Sequence, residues 1–133
     1  MKRIGIVGSR NFPKLEKVTQ FVNSLPIDWE VVSGGAPGVD TRAELAARER
    51  GMDLLVHYPD WTNLGKMAGI ARNTLIVIDS DCVVAFYHDN SKGTKDTMRK
   101  AVAHRRPLFV ITSEDDLPTV EEILRKLPSS PAV

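Results

Sequence analysis

VVSGGAPGVDTRAEL runs from Val31 to Leu45. An apolar run enters it, three glycines and a proline interrupt it, and a charged, alanine-rich stretch leaves it. The pattern reads as a strand, a tight turn and a helix. Glycine at such a turn lets the backbone take positive φ or approach a neighbour closely. Two accounts fit Gly34 and Gly35. They make a tight strand-to-helix turn, or they form a phosphate-binding loop at a helix N-terminus.

The same grammar repeats on either side. Ile4 to Val7 is a short apolar run ending in Gly8-Ser9-Arg10. After Pro13, residues Leu15, Val18, Phe21, Val22 and Leu25 recur at helical spacing. Thr41 and Glu44 have the form of a capping box, and Gly51 is placed to end that helix. DLLVHYP, starting at Asp53, predicts a third strand. Lys66 to Asp79 mixes helical and strand signals and is read as helix throughout. CVVAFY from Cys82 predicts a fourth strand, GTKDTMRKAVAH from Gly93 a helix, and PLFVIT from Pro107 a fifth strand. Thr119 and Glu122 predict a second capping box, opening VEEILRKL.

Strands alternate with helices, and the strands are continuous apolar runs. That combination predicts an α/β fold, a Rossmann-like three-layer sandwich with an open, mainly parallel five-stranded sheet. Residues 1–127 are expected to form one domain and 128–133 a disordered tail. The chain has 133 residues, 42% hydrophobic, enough for one core. One cysteine, Cys82, excludes an internal disulfide and suits a reducing compartment; it reads as a small core residue. The N-terminal apolar run is too short for a signal peptide, and no run is long enough to span a membrane. A cytoplasmic protein with no membrane partner is expected.

An open parallel sheet binds ligands beyond the carboxyl ends of its strands. The residues there are Gly8, Ser9 and Arg10 after the first strand, Gly34, Gly35 and Gly38 after the second, and Gly93 and Thr94 after the fourth. If these turns converge they make an anion site, with hydroxyls from Ser9 and Thr94 and a guanidinium fork from Arg10. Capping is the better account of Thr41. Asp40 either caps its helix or, since a carboxylate repels phosphate, meets ribose hydroxyls. Trp61 either covers a core edge or stacks on a base. Arg72 and Asn73 sit in an apolar helix, where an arginine needs a ligand or a carboxylate as partner. His57, His88 and His104 are scattered without a cysteine at ligand spacing, so no metal and no cofactor are expected.

Taken together, GSRNF at Gly8, VVSGGAPGVDTRAELAA at Val31, PDWTNLGKMAGIARN at Pro59 and AFYHDNSKGTKDTMRKA at Ala85 resemble the SLOG superfamily, and within it the small stand-alone YspA-type family. The chain departs from that pattern at Leu75 and Ile76. The resemblance implies a Rossmann-like fold and a pocket for a nucleotide or nucleotide-derived small molecule, sensed or processed. It allows a homo-oligomer. Two related groups imply different activities. The DNA-processing protein A group binds single-stranded DNA. The lonely-guy group is an N-glycoside hydrolase of nucleoside monophosphates, with a glutamate at the position held here by Thr97. Asp96 and Asp40 are then the remaining candidates for a displaced catalytic carboxylate. Net charge is +1 and aromatics are 6%, so a basic groove with stacking platforms is poorly supplied and tight DNA binding is not expected.

Overall fold

The computed structural model describes residues 2–128. Five strands form one sheet: β1 (Arg3–Gly8), β2 (Glu30–Ser33), β3 (Asp53–Val56), β4 (Cys82–Phe86) and β5 (Leu108–Ile111). Between and after them lie α1 (Glu16–Ser24), α2 (Val39–Arg50), α3 (Trp61–Leu64), α4 (Ala68–Asp79), α5 (Lys92–Ala103) and α6 (Val120–Lys126). Strand order is β3-β2-β1-β4-β5, and every pairing is parallel. The α/β reading of the sequence therefore stands, with a sheet that is wholly rather than mainly parallel.

Alternation along the strands supplies two apolar faces. Ile4, Ile6, Val84 and Phe86 pack with Val18, Phe21 and Val22 of α1, and with Ala43 and Ala47 of α2. Val7, Val83 and Ala85 pack on the other face with Ile76 and Val77 of α4 and Ala101 of α5. Phe86 meets the rings of Phe12 and Phe21 edge-on, with centroids 5.5 and 6.0 Å away. Cys82 is buried in the first of these cores, where burial and the nearby Asp81 push its thiol up to about 12. Among the described residues no helix is long and apolar enough to cross a membrane.

Lys66–Asp79 is helical throughout, as expected: the 3-10 turn at Gly65–Met67 runs directly into α4, and the one-turn α3 precedes it. One local reading needs correction. The capping box at Thr119 and Glu122 is present, but the one at Thr41 and Glu44 is not. There the helix begins three residues earlier, with Gly38 as its N-cap and Val39 its first residue, and Glu44 turns into the protein. Most of the expected tail, residues 129–133, lies outside the described residues.

Strand order reverses between β1 and β4, whose last residues, Gly8 and Phe86, are paired. The carboxyl edge at that reversal is where α/β sheets leave a crevice.

Candidate functional site

The β1 turn is built by close approach. A Cβ on Gly8 would lie 2.5 Å from the Phe86 carbonyl oxygen and 2.7 Å from Val39 Cγ2, so glycine alone fits without moving backbone. Ser9 N then donates to the Phe86 carbonyl at 3.0 Å. The Ser9 hydroxyl donates to the His88 carbonyl and accepts from His88 N, both at 2.9 Å. A hydroxyl has one proton. That of Ser9 ties the β1 turn to the β4 turn, which leaves none for a ligand in this arrangement.

The β2–α2 turn is held by the chain's own carboxylates. Glu44 is buried, and its Oε2 accepts from the Ser33 hydroxyl at 2.7 Å and from Gly35 N at 3.0 Å. Asp40 Oδ2 accepts from Ala36 N at 3.3 Å. Gly38 stands at φ +88, and a Cβ there would lie 2.6 Å from the Arg10 carbonyl oxygen. Thr41 donates its hydroxyl to the Gly38 carbonyl at 3.2 Å.

Arg72 and Asn73 of α4 join this turn to the next. The Arg72 guanidinium donates through Nη1 to the Gly34 carbonyl and through Nε to Asn73 Oδ1 at 2.9 Å. Asn73 Nδ2 donates to the Gly93 carbonyl at 3.3 Å and to Asp96 Oδ2 at 3.1 Å. Asp96 also pairs with Lys100 at 2.8 Å. Burial works against the Asp96 charge, but the hydrogen bonds from Lys100 and Asn73 outweigh it and hold the carboxyl below its usual range.

At the β4–α5 turn the backbone is open. Asp89 and Asn90 are left-handed, with φ of 53 and 54, and Ser91 caps α5 by accepting from Thr94 N at 3.4 Å. The Thr94 hydroxyl lies 3.0 Å from that of Ser91. Nothing lies within 4 Å of where a Cβ on Gly93 would sit.

These turns surround a cavity of about 400 Å³. Of the residues singled out in the sequence, Gly8, Ser9, Arg10, Asp40, Arg72, Asn73, Gly93 and Thr94 line it. Gly34, Gly35 and Gly38 do not line it; they shape the β2–α2 turn. Trp61 is off the cavity and 59% exposed, its ring edge near Gly69. Asp96 is absent from the lining while Thr97 is in it. The sequence reading missed His88, Asp89 and Ser91 in the lining, and missed Glu44 as the brace of the turn. The signal Glu44 carries in the sequence, its place three residues after Thr41, points to a cap and not to this brace.

Electrostatics single out Asp40. Burial raises its carboxyl to about 7, against the opposing effects of the Ala36 amide and the Arg72 charge. Burial lowers Arg72 from the usual guanidinium range, Asp40 opposes that, and Arg10 adds to it. Two guanidiniums, the buried Asp40 carboxyl, the exposed Asp89 and the N-terminus of α5 thus line one space. Positive groups dominate, so the cavity suits an anion. Among the described residues no three His, Cys, Asp or Glu side chains group as metal ligands do.

The fold and this strand-end site define a Rossmann-like protein of the SLOG type. A family model described as the YspA, cpYpsA-related SLOG family matches residues 3–63. The Gene 61 protein of Mycobacterium phage D29 is 34% identical over 111 residues, covering 76% of this chain and 89% of that protein. The chain belongs to the YspA, cpYpsA-related SLOG family. Among solved structures, DNA processing protein A from Streptococcus pneumoniae is similar with a TM-score of 0.81 and 19% identity. That match covers 98% of this chain, which spans only 63% of the other. DNA processing protein A from Helicobacter pylori, whose structure is described for its unique single-stranded DNA binding mode, has a TM-score of 0.65 and 23% identity, over 94% of this chain and 72% of that one.

These neighbours overturn the expectation of no tight DNA binding. Net charge and aromatic content are sums over the whole chain. A nucleic acid meets the local field, and here two arginines and a helix N-terminus share one edge of a nearly neutral protein.

Proposed function

We propose that the protein binds a phosphate-bearing nucleotide unit in the cavity at the carboxyl edge of its sheet. One observation carries this reading. Arg10, Arg72 and the N-terminus of α5 face a single space of about 400 Å³ at the strand-order reversal. A space of that size lies in the range of small-molecule sites. Helix N-terminal amides and guanidinium forks are the donors that phosphate prefers. Glu44 and Asp40 already accept from Gly35 N and Ala36 N, so phosphate sits against the α5 turn and the two arginines.

The nucleotide unit has two sources, a free mononucleotide or one residue of a single strand. The second is favoured by the structural likeness to DNA processing protein A, one member of which is described with a single-stranded DNA binding mode. Native mass spectrometry of freshly purified protein, looking for a co-purifying nucleotide, tests the first. Fluorescence anisotropy with a labelled deoxythymidine oligonucleotide at two salt concentrations tests the second, since strand binding weakens steeply with salt. In the source that binds, Arg72→Ala weakens affinity by about 1.5–3 kcal/mol, the value of a charge-assisted hydrogen bond. Unchanged affinity in a folded Arg72→Ala protein would reduce Arg72 to its brace on Gly34.

Binding here proceeds without cleavage. Thr97 holds the cavity position where the lonely-guy group has its glutamate, and a threonine hydroxyl cannot carry the charge. Asp96 is outside the lining and tied to Lys100 and Asn73. Incubation with AMP, GMP, CMP or UMP, followed by chromatography, should release no free base. Robust release that disappears in Asp40→Asn would replace binding by hydrolysis, with Asp40 as the displaced carboxylate.

A further inference from the structure

The cavity that suits an anion contains a carboxyl group. Asp40 is 4% exposed and lines the same space as Arg10 and Arg72. Its carboxyl accepts from Ala36 N at a long 3.3 Å, and the Gly34 amide also acts on it. The point where a Cβ on Gly34 would sit lies 2.9 Å from Asp40 Oδ2 and 2.8 Å from Arg72 Nη1. The acid and the guanidinium are therefore close neighbours at the cavity wall. No ion pair joins them: none of the salt bridges among the described residues involves Asp40.

A phosphate drawn to Arg72 must come near Asp40. As a carboxylate, Asp40 would repel it in a buried setting where charge repulsion is poorly screened. As a carboxylic acid, it would remove the repulsion and supply an O–H donor to the phosphate oxygen, a short charge-assisted bond. We propose that the cavity takes up phosphate together with one proton, and that Asp40 carries it. This rests on the reading of the cavity as a phosphate site. The balance is simple: solvent supplies the proton, no covalent bond to the ligand changes, and proton and ligand leave together.

Asp40 is poised for this before the ligand arrives, because burial has already raised its carboxyl to about 7. The other charged or titratable groups around it are Arg72 from α4, Glu44 from its own helix, Arg10 from the β1 turn, and His88 and Asp89 from the β4–α5 turn. Glu44 is engaged with Ser33 and Gly35. His88 lines the same cavity and is the control for where the proton goes.

Isothermal titration calorimetry of the whole protein separates these cases. The probes are AMP and a short deoxythymidine oligonucleotide. Each is titrated in two buffers of different ionisation heat, from pH 7.5 to 8.5. In that range a monoester phosphate, with its second pKa of about 6, stays a dianion. The expected result is buffer-dependent heat equal to nearly one proton taken up per ligand. Affinity should fall about tenfold per pH unit. The probe that shows the uptake identifies the source of the phosphate. His88→Gln should keep the uptake, and Asp40→Asn should abolish it and bind more tightly at pH 8.5. Equal heats in both buffers, or uptake that persists in Asp40→Asn, would overturn the proposal alone. Absence of binding by either probe at every pH would overturn the phosphate reading and this inference with it. A carbon-13 carboxyl titration of the wild-type protein needs no variant. The Asp40 midpoint must rise when the binding probe is added, and a fall or no change counts against the proposal.

Discussion

The β2–α2 and β4–α5 turns both follow a strand and both open a 12-residue helix; the first carries its glycines in the turn, the second has Gly93 in the first turn of α5. They differ in what their amides do. In the first, Gly35 N and Ala36 N donate to Glu44 and Asp40, carboxylates from the helix the turn opens. In the second, the cap is the neutral hydroxyl of Ser91, and the turn faces the cavity through Ser91, Gly93 and Thr94. A glycine-rich loop is therefore not a phosphate site by composition. It becomes one only where the surrounding chain leaves its donors free. The richer of the two loops is closed by its own acids, and the poorer one is open.

The largest expected consequence concerns the acid in the closed turn. Asp40 has a folded-state pKa of about 7, above its ordinary value of 3.8. Between those values the folded protein binds more protons than the unfolded chain, so stability falls as pH rises. The effect is at most about 4 kcal/mol, complete below pH 4 and lost as pH passes 7. Urea denaturation from pH 4 to 8 should show this slope in the wild type and a flatter one in Asp40→Asn. Equal slopes would mean that Asp40 is not held neutral by burial.

Next comes Gly38→Ala, which places a side chain at φ +88 against the backbone of Arg10. Strain and overlap together should cost about 3 kcal/mol, read from the denaturation midpoint. Glu44→Ala leaves the Ser33 hydroxyl and Gly35 N without their acceptor, in a place with little water. A loss of about 2 kcal/mol is expected, and Glu44→Gln should recover part of it by keeping one acceptor. The smallest effect sharpens the contrast. Gly93→Ala meets open space inside a helix, so it should raise stability by up to about 1 kcal/mol. If Gly93→Ala costs as much as Gly38→Ala, the two turns are alike after all.

Much of the fold was legible because its signals are local. Short apolar runs alternating with helical periodicity mark a parallel α/β sheet. Thr119 and Glu122, three residues apart, form the capping box their spacing predicts. The same spacing failed at Thr41 and Glu44. There the helix starts at Val39, and Glu44 meets Ser33 and Gly35 across a turn instead of the N-terminal amides. A cap signal states only that a carboxylate is available. It does not say which donor will reach it first.

The site divides along the same line. Arg10, Asp40 and Gly93 were readable because they follow strands whose ends an open parallel sheet brings to one edge, and Arg72 and Asn73 because they are polar residues in an apolar helix. Their partners were not. Ser9 meets the backbone of His88, 79 positions away, and Arg72 meets Gly34, 38 positions away. The sequence by itself determined the alternating elements, the two-faced apolar sheet and the edge at which polar residues collect. These follow from periods of two and 3.6 residues, which any short segment carries. The tertiary structure alone decided which amides are closed by Glu44 and Asp40, that Thr97 rather than Asp96 faces the cavity, and that Asp40 is buried deeply enough to hold a proton. Hydrogen-bond partnership and desolvation depend on what packing brings near a group, and those neighbours come from distant parts of the chain.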